Sequence, residues 1–299
     1  MKRAAAIAQV AIMAAALAPM TGLAAEQAGP PISAAPAPKP PAPSYAPPAQ
    51  PQRAPNAPAK SSAAGEAANY EHCMSLAQRD PGAARDYAEH WQSRGGAHPA
   101  DHCYAVSLVG LKQYKEGASR LETLAQAMLH APNSLRAEVL GQAAQAWLLA
   151  GDPARAYAAD SAALNLLPGD PDLLIDRAEA AGSEGWYDKA AADLDRVLMS
   201  EPNRVDALIY RAAANRELGK IDNAFSDIDR ALNLAPDSVA ALLERGNILR
   251  LKGDDNGARR DWVKASQLAP GSAEDAAAKT NIERLELKQD VAAPPARKP

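Results

Sequence analysis

From Ala67 onward, apolar positions recur at intervals of three and four, the spacing of one face of an α-helix. Tyr187, Ala190, Ala191, Leu194, Val197 and Leu198 form one such stripe, and Ile221, Ala224, Phe225, Ile228, Ala231 and Leu232 form another. Glycines separate the stripes at Gly151, Gly185, Gly219 and Gly253, and prolines close the units at Pro168, Pro202, Pro236 and Pro270, with one constant step throughout. A fixed period in this range predicts stacked helix pairs, a solenoid.

The amino-terminal part follows different rules. Lys2 and Arg3 precede an uncharged apolar run from Ala4 to Ala18, and Gly22, Leu23, Ala24 and Ala25 end it with mostly small side chains. This pattern predicts a signal peptide over residues 1–25. The run is too short to span a bilayer comfortably, and no later stretch does better. Gly29 to Lys60 hold twelve prolines. Such a stretch cannot bury enough apolar surface to offset chain entropy, so residues 26–66 are expected to form a disordered, Pro/Ala-rich linker.

Two units carry a family resemblance most clearly: VDALIYRAAANRELGKIDNAFSDIDRALNLAP from Val205 and VAALLERGNILRLKGDDNGARRDWVKASQLAP from Val239. They resemble tetratricopeptide repeats, which place small residues where the two helices of a unit touch. Here these are Ala144, Ala178, Ala212 and Gly246 on the first helix, and Ala156, Ala190, Ala224 and Ala258 on the second. Small side chains let helix backbones approach closely. Leu140, Leu174, Leu208 and Leu242 stand at the family's usual Trp position.

The resemblance implies an all-α fold: a right-handed solenoid of about five to six helix pairs plus a capping helix. Residues 137–270 make the repeats proper, and 67–136 are diverged helices carrying the Cys pair. A unit from Pro99 to Ala131 is expected to have a second helix only about two residues long. Residues 271–290 supply the polar cap that a solenoid needs at its open end, and 291–299 a flexible tail.

The resemblance also implies a concave groove lined by the first helices, as a partner-binding face. Gln145, Ile175, Glu179, Ile209 and Ala213 are expected there, with Leu243, Asn247 and Asn281 further along. Ile175, Ile209 and Leu243 occupy equivalent positions and would form an apolar track; burial in the core is their alternative. Family members that clamp a terminal carboxylate carry Lys at that position. Arg216, Arg250 and Arg284 recur with the period of the glycines and would flank the track. Arg177, Arg211 and Arg245 recur in the same way, as do Asp193, Asp227 and Asp261, and are expected to tie successive units together.

Catalytic signatures are missing: the chain has no Gly-rich phosphate loop, nucleophile elbow or metalloprotease helix motif. No cofactor or metal is expected. An acid-His-Cys triplet occurs twice, as Glu71-His72-Cys73 and as Asp101-His102-Cys103. Two Cys and two His can hold zinc, but neighbours on a helix point about 100° apart. A disulfide between Cys73 and Cys103 is favoured, joining the first helices of two successive units. Net charge is -4, with hydrophobic residues at 47% and aromatics at only 4%. The mix suits close-packed helices, and no basic field is present to attract nucleic acid.

The expected function is that of a non-catalytic scaffold, periplasmic or secreted. It would bind a peptide or helix segment of another exported or envelope protein, without stable membrane insertion, in cell-envelope assembly or maintenance. The alternatives are a self-associating assembly protein, a homo-oligomer, and an accessory domain of an enzyme acting on envelope polymers.

Overall fold

A computed structural model describes residues 63–292, and within them every regular element is an α-helix. The expected signal peptide, residues 26–62 of the expected linker, and residues 293–299 of the expected tail lie outside the described residues. The helices fall into six consecutive pairs: α1 (Ala63–Arg79) with α2 (Pro81–Ser93), α3 (Ala97–Gly110) with α4 (Tyr114–Ala127), α5 (Asn133–Leu149) with α6 (Pro153–Leu166), α7 (Pro171–Ser183) with α8 (Tyr187–Ser200), α9 (Val205–Glu217) with α10 (Ile221–Leu234), and α11 (Val239–Leu251) with α12 (Asp255–Leu268). A last helix, α13 (Ala273–Ala292), packs on α11 and α12.

Two boundaries differ from expectation. Helix α1 begins at Ala63, inside the expected linker. Helix α4 has 14 residues where a short remnant was expected. Its first turn reads as polar and carries Gly117, which disguises it in the sequence. Gly117 is buried against α3, where a Cβ would come within 2.7 Å of Val109 Cγ2. Ala118, Leu121 and Leu124 then bury the rest of that face.

The helix ends follow local chemistry. Asp80, Asp152 and Asp170 cap α2, α6 and α7 by accepting backbone N–H groups, each with a proline next in the chain. Proline is tolerated there because its missing N–H has no intrahelical partner anyway. At the other end, Gly185 adopts φ +74° after α7. Its N–H donates to Gly182 O, and Trp186 N–H donates to Ala181 O at 2.8 Å, which satisfies carbonyls at the helix end. Gly151, Gly219 and Gly253 repeat the device, which explains their period.

The small residues at the helix contacts are buried as expected, Ala144, Ala212, Ala156, Ala224 and Ala258 completely so. Leu174, Leu194, Val197, Leu208, Ile228 and Leu242 join one core that runs through successive units. Cys73 of α1 and Cys103 of α3 are disulfide-bonded, with Cα atoms 6.1 Å apart, and pack with Ala88, Trp91 and Ala100.

The Arg–Asp ladders are real but differently connected. Arg177 holds Asp193 with two bonds of 2.8 and 2.7 Å, Arg211 holds Asp227 at 2.8 and 2.6 Å, and Arg245 holds Asp261 at 2.7 and 2.8 Å. Each pair ties the first helix to the second helix of the same unit. The link to the preceding unit is secondary: a third guanidinium N–H reaches Ser161 from Arg177 and Asp195 from Arg211. A planar guanidinium offers more donors than one carboxylate accepts, so one residue serves both contacts.

The α5/α6 unit lacks this latch, with Ala143 and Ala159 at the equivalent positions. Asp160 stands where Leu194, Ile228 and Trp262 fill the core of the later units. It is fully buried, and neither carboxylate oxygen has a hydrogen-bond partner among the described residues. Burial, reinforced by the Asp176 carboxylate, pushes its pKa up to about 9.

Candidate functional site

First helices touch one another across units, α5 with α7, α7 with α9, α9 with α11 and α11 with α13, while the second helices pack chiefly on first helices. The first helices therefore stack as one continuous row, the row on which the resemblance places the groove. From α5 to α13 that row carries polar contacts between neighbouring helices. Gln145 Nε2 reaches Asp176 Oδ2 at 3.4 Å, and the Tyr210 hydroxyl donates to Glu179 Oε2 at 3.2 Å. Arg216 Nε donates to Glu244 Oε1 at 2.6 Å. Asn247 donates to the other oxygen of Glu244 and accepts from Asn281 Nδ2 at 3.0 Å. Burial raises the pKa of Glu179, and raises that of Asp176 to about 7 with a contribution from Glu179.

These contacts revise the expected groove. Leu243 is 1% exposed and packs with Trp262 and Leu285, Ile175 is buried, and Ile209 is half-buried against the core. The aliphatic track therefore belongs mainly to the core, because side chains at those positions pack between neighbouring helices. Arg216, Asn247 and Asn281 are brought together through Glu244, whereas Gln145 bonds separately to Asp176 and Glu179 to Tyr210; Ala213 is half-buried. The arginine row is unequal. Arg216 is paired with Glu244 and Glu217, whereas exposed Arg250 and Arg284 border a hollow of about 280 Å³ with Asn281.

A second cavity lies at the other end of the described residues. It has a volume of about 460 Å³ and is bounded by α1, α3, α5 and the end of α4. Its walls are apolar: Pro99, Leu124, Met128, Ala131, Leu135 and Val139. One side carries a hydrogen-bond chain. The Tyr70 hydroxyl donates to His102 Nδ1 at 2.9 Å, and His102 Nε2 donates to Gln142 Oε1 at 2.7 Å. Burial lowers the His102 pKa, which favours the neutral imidazole that this pattern requires. Burial raises the pKa of Tyr70, helped by the nearby Glu138 carboxylate. Glu66 and Glu138 complete the wall.

None of these cavity residues was marked as a partner contact in the sequence. Gln142 was accessible, since it shares the periodic row of Asp176, Tyr210 and Glu244. Tyr70, Leu135 and Met128 had no such signal, because the first two units and their connections break the period. In the sequence His102 stands out only beside Cys103; the disulfide takes that cysteine, and the imidazole turns to Tyr70 and Gln142 instead. Among the described residues, no group of three or more His, Cys, Asp or Glu side chains is placed to hold a metal ion. No described helix is long and apolar enough to cross a membrane.

Paired helices of this length and period, with small residues at each contact and first helices touching across units, define a tetratricopeptide-repeat fold. Solved structures of that class align with the chain. A MamA RS-1 ArsTM double mutant aligns at 18% identity and TM-score 0.50, covering 57% of this chain and 93% of the other. TTC0263, a thermophilic TPR protein in Thermus thermophilus, aligns at 18% identity and TM-score 0.50, covering 64% of this chain and all of the other (100%). No protein-family model matches the sequence, and no curated protein matches it either.

Proposed function

We propose that this chain is an exported, non-catalytic scaffold that holds a segment of another exported protein on its inner face, in assembly or maintenance of the cell envelope. The observation that carries the reading is the open cavity of about 460 Å³ on the first-helix side, apolar on most of its walls. Tetratricopeptide folds offer a rigid array, and an unfilled apolar hollow on such an array is a surface that a partner side chain can bury. Two features support export: the basic start and apolar run of residues 1–25, and the Cys73–Cys103 disulfide, a bond that persists in oxidising compartments. The expected location is the periplasm.

A photo-crosslinking residue at Leu135, on the cavity wall, tests the binding face in intact cells. Leu149, 58% exposed and away from the cavity, is the control. A discrete adduct from position 135 and none from 149 is expected. No adduct, or equal labelling at both, overturns the inner-face reading, and an adduct of twice the chain mass points to self-association. Recovery of the intact chain from the cytoplasm with Met1 still present overturns export.

A further inference from the structure

We infer that the cavity between α1, α3, α4 and α5 selects a partner segment that carries a bulky apolar side chain with a Lys or Arg close beside it, an inference that rests on the partner-binding reading above. The floor is hydrocarbon and thioether: Leu124, Met128, Leu135 and Val139. Burying an apolar side chain there removes water from both surfaces. The rim supplies the second element. Glu66 of α1 and exposed Glu138 of α5 face the hollow from opposite helices, and none of the residues lining it is Lys or Arg. Neither carboxylate has an ion-pair partner among the described residues. His98, also on the wall, lies 3.8 Å from the Asp101 carboxylate, and His102 is committed to Tyr70 and Gln142.

Farther along, the Glu244 carboxylate is matched by Arg216 of the neighbouring first helix. At the cavity two carboxylates share the lining with apolar side chains, with no guanidinium or ammonium of the described residues to answer them. Negative charge beside a low-dielectric wall attracts a cation more strongly than it would in bulk water. An apolar side chain followed by a base satisfies both features at once. A segment with Asp or Glu next to its apolar anchor is repelled.

Three small probes that share one ring test this on the exported chain: 2-phenylethylammonium, 2-phenylethanol and 3-phenylpropionate. Methyl NMR signals of Met128, Leu135 and Val139 report occupancy. The cationic probe is expected to bind roughly tenfold more tightly than the anionic one at low salt. In the double variant Glu66→Gln, Glu138→Gln, that gap should fall below about twofold while the alcohol is unaffected. Both glutamates lie outside the core, and helical content by circular dichroism verifies that the variant is folded. Equal binding of cation and anion to the unaltered chain overturns the charge rule, as does a gap that survives in the double variant. If that occurs while the Leu135 crosslink persists, the scaffold reading stands and only the partner chemistry falls. If no probe shifts the methyl signals, the anchor cavity is refuted, and loss of the crosslink as well removes the scaffold reading.

Discussion

The indole of Trp262 on α12 packs against the backbone of Gly246 on α11, so closely that a Cβ at position 246 would lie 2.6 Å from Trp262 Cδ1. Its Nε1 donates to Leu243 O at 3.2 Å, which satisfies the buried N–H. In the two preceding units the equivalent positions hold Ala178 with Leu194 and Ala212 with Ile228, all buried in the core. The sixth unit thus replaces alanine by glycine where the partner grows to tryptophan, and the interhelical space stays filled.

Gly246→Ala should therefore destabilise the carboxy-terminal unit by roughly 1–3 kcal/mol through overpacking, although alanine is the better helix former. Adding Trp262→Leu should recover most of that loss, because it recreates the Ala178–Leu194 pair. Urea denaturation of the two single variants and the double gives the coupling. Purely additive effects would refute the size trade.

Asp160 occupies the same structural row with a carboxyl group. Its pKa is raised to about 9 by burial first, then by Asp176, with Glu179 and Asp193 adding to the shift and Arg177 opposing it. Because the folded pKa lies above the ordinary value of about 3.9, the protonated group favours folding. Its contribution is intact below about pH 4 and is lost as pH rises toward 9. Asp160→Leu should raise stability by roughly 1–3 kcal/mol at pH 8, and the gain should shrink toward pH 4. Thermal unfolding of both proteins across that range checks it. A difference independent of pH would show that the carboxyl does not titrate with folding.

Arg211 and Asp227 join the two helices of their unit by two short bonds, with both side chains mostly buried. Arg211→Met strands a buried carboxylate and should cost about 3–5 kcal/mol. Combining it with Asp227→Leu should restore stability to within about 1 kcal/mol of the unaltered chain, because the stranded charge is then gone. A double variant as unstable as Arg211→Met alone would mean that the guanidinium acts mainly through Asp195.

The disulfide joins α1 to α3 across a sequence separation of 30. Cys73→Ser should lower stability by about 3 kcal/mol under oxidising conditions, mostly by freeing the unfolded chain. Under reducing conditions the variant and the unaltered chain should unfold nearly together. Equal loss in both conditions would assign the effect to packing around Ala88 and Trp91.

Local chemistry and periodicity are written into single stretches of chain, and those features could be read directly. The left-handed glycines, the closing prolines, the alanine contacts and the apolar stripes each depend on neighbours within one or two turns. Repeating them at a constant step dictates stacked pairs, and the disulfide was legible on a different ground, an even pair of cysteines in a chain with an export-type start. Lateral packing between units is not encoded at any one position. Packing against neighbouring helices decided that Ile175 and Leu243 are core while Gln145 is exposed, although all lie on first helices. Only the folded chain brings Tyr70, His102, Met128 and Glu138, from two diverged units and the start of the third, around one cavity. Helix-forming preferences act over a few residues, whereas a hollow is set by how whole helices fit together, and a small change in crossing geometry opens or closes it.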